Sequence, residues 1–224
     1  MLYNINMALR KIKFIQGEYF HLYNRGNDKK VIFKDKEDYK RFVGLMYACN
    51  QIENFKSDNL QKDEGLFNVK RKNLLVSIGA YCLMPNHFHI LIIQKEDEGI
   101  SKFMKKLLTA YVMYFNKKYE RTGSLFEGKF KAEHVDHDRY LKYLYSYIHL
   151  NPIKLIDKKW KEEGIKNKNQ ALKFLNEYKY SSYADYLGEN RVQNKVLNID
   201  NFPQYFSTEK YFKKEIFEWL SFKN

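Results

Sequence analysis

The order strand–helix–strand–strand–helix–strand predicts an α+β chain built on a ferredoxin-like antiparallel sheet with its helices on one face. Three observations support it. Residues 14–23 and 87–93 carry the β-branched and alternating patterns of strands. Residues 36–52 and 101–119 repeat apolar side chains at helical spacing. Only a short turn at Pro85-Asn86 separates the second strand region from the third, which argues for an antiparallel pair. A further helix and a helical tail follow this core.

Residues 1–13 read as a basic lead-in. Phe14 to Tyr23 is the first strand, with Tyr19, His21 and Tyr23 on one face and Phe20 and Leu22 on the other. Asn24 to Asp28 ends it as a turn, leaving Arg25 just past a strand end. Lys36 to Ile52 is an amphipathic helix whose stripe is Tyr39, Phe42, Val43, Met46 and Tyr47. Glu53 to Gly65 is polar and aperiodic, so an exposed loop is expected. Val69 to Leu83 is the second strand region, with Leu74, Val76, Ile78 and Ala80 as core positions. The third strand begins at His87. After a charged turn, Ser101 is placed to cap a helix running to Tyr119. Its buried stripe includes Phe103, Leu107, Tyr111 and Phe115, and its lysines form either a solvated side or a DNA track. Arg121-Thr122-Gly123 breaks this helix, and Ser124 to Val135 is a loop entering the last strand. Asp136 or Asp138 can cap a helix from Arg139 to Leu150, which Pro152 ends at Asn151. The tail has helical patches at Lys168 to Tyr178 and Thr208 to Phe222.

The chain has 224 residues, enough for a sizeable core, and a formal charge of +13 from 40 Lys+Arg against 27 Asp+Glu. Such a balance favours a polyanionic partner, of which nucleic acid is the commonest. Nineteen Tyr and 17 Phe interleave with the basic residues. That mixture suits single strands, where phosphates take cations and unstacked bases take rings. The two cysteines, Cys49 and Cys82, exclude a disulfide framework and a thiolate zinc site, and point to a reducing cytoplasm. Met1 to Arg10 is too mixed for a signal peptide, and no apolar run approaches a membrane span.

Two stretches carry the chemistry. In Met84-Pro85-Asn86-His87-Phe88-His89-Ile90-Leu91, alternation puts His87 and His89 on one face and Phe88 and Ile90 on the other. The imidazoles then either converge on one ion or sit half-buried in hydrogen bonds. In Tyr143-Leu144-Tyr145-Ser146-Tyr147-Ile148-His149-Leu150-Asn151-Pro152, Tyr147 and Asn151 share a helix face with Tyr143 one turn earlier. Tyr145 and His149 point elsewhere. An Asn151 amide oxygen can join the two histidines as a third ligand, with positions left open for a phosphate oxygen and water. A tyrosine needs a base or a nearby cation to attack phosphorus, so the alternative is a helix of merely packed tyrosines.

These residues carry a resemblance. His87-Phe88-His89 is similar to the His–hydrophobic–His pattern of the HUH nucleases. Together with Tyr23-Asn24-Arg25-Gly26, Tyr114 to Lys118, Gly123 to Lys131 and Tyr147 to Pro152, it resembles the single-tyrosine HUH transposases of the insertion-sequence type. The REP-associated tyrosine transposases are the closest branch. The similarity runs from Tyr19 to Leu155, and Tyr180 to Gly188 resembles a segment that many of these proteins carry after the core. The resemblance implies a catalytic domain at 1–155 and a helical extension at 156–224. It implies Tyr147 as the nucleophile and His87, His89 and Asn151 as ligands of Mg²⁺ or Mn²⁺. Arg25, Asn24, Lys129 and Lys131 would hold DNA. The implied reaction cleaves and rejoins hairpin-bearing single-stranded DNA through a 5′-phosphotyrosine. Relatives include dimers that exchange the tyrosine helix as well as monomers, so a homodimer stays open. Glu127 departs from the pattern, standing where relatives often carry a neutral polar residue. A different class, a DNA- or RNA-binding protein that kept the fold and lost catalysis, also fits, as does a plain metal-binding domain.

Overall fold

The computed structural model describes residues 12–53, 63–206 and 208–221. Most of the basic lead-in and the middle of the 53–65 loop lie outside these residues. Four strands, β1 (Tyr19–Arg25), β2 (Val76–Met84), β3 (His87–Gln94) and β4 (Lys131–Val135), form one antiparallel sheet in the order β2-β3-β1-β4. Helices α1 (Lys36–Ala48) and α2 (Gly99–Lys118) supply the crossovers. The class is α+β and the topology ferredoxin-like.

Strand alternation builds two cores. Phe20, Leu22, Phe88, Ile90 and Ile92 face α1 and α2, meeting Phe42, Met46, Phe103, Leu107 and Tyr111. The opposite face carries Leu91, Ile93, Ala80, Cys82 and Val135. It is covered by α3 (Asp138–Leu150) through Leu141, Leu144, Tyr145 and Ile148. Tail residues Tyr178 and Phe202 complete that layer. The tail adds α4 (Lys168–Glu177) and α5 (Glu209–Ser221). Among the described residues, no helix is long and apolar enough to cross a membrane.

Several boundaries differ from expectation for physical reasons. β1 starts at Tyr19 and runs through Asn24 and Arg25, because β3 pairs with it as far as His87. β2 starts at Val76 and is buried along its whole length, because the tail covers its second face. Its register slips between Ile78 and Ala80, so these two residues enter different cores despite their spacing. Gly79 sits at that slip, where a Cβ would come within 2.7 Å of the Phe202 ring. α2 starts at Gly99 rather than behind a Ser101 cap, with Gln94 Oε1 accepting from the Ile100 N–H at 3.2 Å. At α3, neither Asp136 nor Asp138 caps. His137 occupies the N-cap position without a side-chain bond, and Asp138 is the first helical residue.

The Tyr180–Gly188 segment has a structural role. Leu83 N–H donates to the Tyr180 carbonyl at 2.9 Å and Ser182 N–H to the Tyr81 carbonyl at 2.9 Å, laying the segment along the β2 edge. Ser182 Oγ accepts from the Tyr81 N–H at 2.9 Å and pairs with His149 Nε2 at 2.7 Å. Burial lowers the His149 pKa to about 3, so this imidazole is neutral. Ser182→Ala should leave two buried polar groups unpaired and lower stability by about 1–3 kcal/mol, read as a drop in Tm.

Candidate active site

β3 presents His87 and His89 on the face that α3 crosses, with ring centroids 5.1 Å apart and planes at 89°. Each ring is held through Nδ1. His87 Nδ1 lies 2.6 Å from Asn86 Oδ1, and His89 Nδ1 lies 2.9 Å from His21 Nε2. Behind them, His21 Nδ1 stands 3.6 Å from Glu133 Oε2, long for a hydrogen bond but close for a charge. Tyr23 and Tyr140 donate their hydroxyls to the same carboxylate at 2.9 and 3.0 Å. His21, with Tyr23 and Tyr140 beside it, holds the Glu133 pKa down at about 2, so it is ionised. A carboxylate there favours the His21 tautomer with its proton on Nδ1. His21 Nε2 then accepts from His89 Nδ1–H, and His89 Nε2 keeps a lone pair. Burial lowers the His87 pKa to about 4 and that of His89 well below its ordinary value. Two neutral imidazoles with Nδ1 tied are the state in which histidines ligate a metal.

α3 brings the phenol. Its buried residues Leu144, Tyr145 and Ile148 fix its rotation, and Tyr147 projects back toward the histidines. The Tyr147 ring centroid is 5.4 Å from that of His89 and 6.1 Å from that of His21, both edge-on. Asn151, one turn on and 3% exposed, lies beside both His87 and the Tyr147 phenol, raising the pKa of the first and lowering that of the second. Lys161 Nζ sits 3.8 Å from the Tyr147 ring centroid. Burial raises the Tyr147 pKa, opposed by the neighbouring Asn151 amide and the Lys154 charge. Tyr143, one turn earlier, stacks on Tyr147 at 6.0 Å. Tyr145 and His149 point into the tail, meeting Phe206 and Phe212.

The site opens into a cleft of about 730 Å³ lined by Asn24, Arg25, Lys29, Lys131, Lys154 and Lys158, among others. Its basic groups are not equally available. Arg25 makes a two-pronged pair with Glu127, Nε to Oε1 and Nη2 to Oε2 at 2.9 Å each. Asn24 is a buried peg, its amide donating to the Gly128 carbonyl at 3.1 Å and its Oδ1 accepting from Arg25 N–H. Lys131 lines the cleft, and Lys129 is not among its lining residues. Glu127→Gln should therefore release Arg25 and tighten single-stranded DNA binding about two- to fivefold at low salt, by fluorescence anisotropy. An unchanged affinity would show that Arg25 does not meet phosphate.

The structure thus brings together His87, His89, Tyr147 and Asn151, four residues singled out from the sequence. It adds His21, Glu133, Lys154 and Lys161, for which sequence reading had no pairing. His21 shares its strand face with Tyr23, but only strand register puts it beside His89.

Residues 45–151 match the family model described as IS200-like transposase. That segment is just under half of the chain and contains His87, His89, Tyr147 and Asn151. The family to which the motifs point is thus the one whose model matches. No curated protein matches. Among solved structures, the chain is similar to a REP-associated tyrosine transposase bound to a REP hairpin, at 11% identity and a TM-score of 0.47 over 82% of this chain and 88% of that one. It is also similar to tRNA(His) guanylyltransferase from Saccharomyces cerevisiae, at 12% identity and a TM-score of 0.35 over 92% and 90% of the two chains. Both likenesses are distant, and neither bears on activity.

Proposed function

We propose that this protein is a transposase-type strand-transfer enzyme that cuts and rejoins single-stranded DNA through Tyr147. The observation that carries this reading is the meeting of Tyr147, Asn151 and the paired imidazoles at the head of a basic cleft. In the proposed step the Tyr147 oxygen attacks phosphorus and gives up its proton. The P–O3′ bond breaks, and the 3′ oxygen takes up a proton and leaves. The 5′ phosphate stays on Tyr147. Attack by a 3′-hydroxyl reverses the sequence, so the phosphoester is conserved and no nucleotide cofactor is consumed.

His87, His89 and the Asn151 amide fit a divalent ion such as Mg²⁺ or Mn²⁺, which would polarise the phosphate. The fit rests on the tied Nδ1 atoms and the neutral rings described above. Among the described residues, no group of three or more His, Cys, Asp or Glu is placed to hold an ion, and the Asn151 amide would be the third donor. This donor set has no anionic group, and the DNA phosphate would supply the negative charge. Lys154 and Lys161 stand where they stabilise the phenolate as it forms or leaves. Because the phenol faces its own chain's histidines, the reading needs no second subunit.

Incubation of labelled, hairpin-bearing single-stranded DNA with Mn²⁺ or Mg²⁺ tests the proposal. The expected product is a protein–DNA adduct that survives denaturation. Binding to a range of such DNAs without any adduct would leave a binding protein on a catalytic scaffold.

A further inference from the structure

The exposed side of α3 carries a row of rings that the phosphoryl-transfer reading leaves unused. His137, Tyr140, Tyr143 and Tyr147 recur every three or four residues, so the helix repeat stacks them on one side. His137 and Tyr140 lie 5.7 Å apart at 22°, Tyr140 and Tyr143 6.1 Å at 17°, and Tyr143 and Tyr147 6.0 Å at 10°. Tyr145, on the buried side, instead meets Phe202, Tyr205 and Phe206 edge-on at 86°, 84° and 76°. The row is open to solvent, with Tyr143 36% exposed. It lines a second cleft of about 790 Å³, with Trp160, Arg139 and Lys161 at its margins. Glu215 and Glu218, on the α5 side of this cleft, pair with Lys142 and Lys214.

Flat rings on the floor and cations at the margin match the two halves of an unpaired nucleotide, its base and its phosphate. Paired bases in a duplex already have both faces stacked and gain nothing here. From Tyr140 to Tyr147 the helix rises about 10 Å, room for about two or three stacked nucleotides. Tyr147 itself lines both clefts, so a strand on the row is continuous with the phosphate at the histidines.

We propose that Tyr140 and Tyr143 stack the unpaired bases of the DNA strand flanking the scissile phosphate, a reading that takes the strand's identity from the function proposed above. Tyr143 is the position to test, since Tyr140 also holds Glu133. The experiment uses the full chain carrying Tyr147→Phe, so that binding is measured without adduct. The probes are a blunt DNA hairpin and the same hairpin with an unpaired tail containing 2-aminopurine, placed on either side of the stem. The protein should quench the tail's fluorescence. Adding Tyr143→Ala should weaken binding of one tailed hairpin about tenfold or more while leaving the blunt hairpin unchanged. Tyr143→Phe, which keeps the ring, should stay within about twofold. Equal weakening on tailed and blunt hairpins, or no weakening on either tail, would overturn the proposal. A Tyr143-dependent tail preference in a protein that forms no adduct would support the stacking row and reject only the phosphotyrosine step.

Discussion

Tyr147→Phe is expected to abolish the denaturation-resistant DNA adduct, while Tyr143→Phe leaves it in place. The two tyrosines lie one turn apart with parallel rings, and their chemical settings differ. Tyr147 is edge-on to His89 and His21, beside the Asn151 amide and covered by Lys161. Tyr143 reaches neither imidazole, and its pKa is raised by burial and by the neighbouring Tyr147. Removing one oxygen from Tyr147 deletes the proposed nucleophile and keeps the ring, so single-stranded DNA affinity should stay within about threefold by anisotropy. Adduct formed by Tyr147→Phe would show that another residue attacks, and the proposed chemistry would fail.

The second large effect concerns His87. His87→Ala should lower cleavage by about 100-fold or more and change DNA affinity by no more than about threefold. The reason is a division of labour. Affinity for a polyanion comes from many phosphate contacts spread over the 40 Lys and Arg residues. The neutral imidazoles should contribute almost nothing to that sum, since the proposed function gives them a role in the chemical step. Chelation of divalent ions should reproduce the variant's phenotype in the wild type. Parallel losses of binding and cleavage would contradict this separation.

Much of the site was legible in the sequence because it depends on two short-range periodicities. Alternation along β3 put His87 and His89 on one face, and the helical repeat put Tyr147 and Asn151 on another. The element order also announced the sheet topology, since strand–helix–strand–strand–helix–strand has few ways to close. What stayed hidden depends on contacts between distant segments. His21 and Glu133 meet only because β4 and β3 flank β1 in one register. The Arg25–Glu127 pair spans 102 positions, so no local pattern shows that this arginine holds a carboxylate. The bond from Asn24 to the Gly128 carbonyl is similarly distant in sequence. The slip at Gly79 breaks the alternation that pattern reading assumes, which is why Ile78 and Ala80 part company. The caps at α2 and α3 depart from the local pattern because Gln94 accepts from the first turn of α2 and no side chain caps α3.

The bond between His149 and Ser182 ties α3 to a segment more than thirty positions downstream. That segment therefore works as a jig that sets where the Tyr147 phenol stands. Under the proposed function, a substitution in the jig would be felt at the phosphate without the substituted residue touching it.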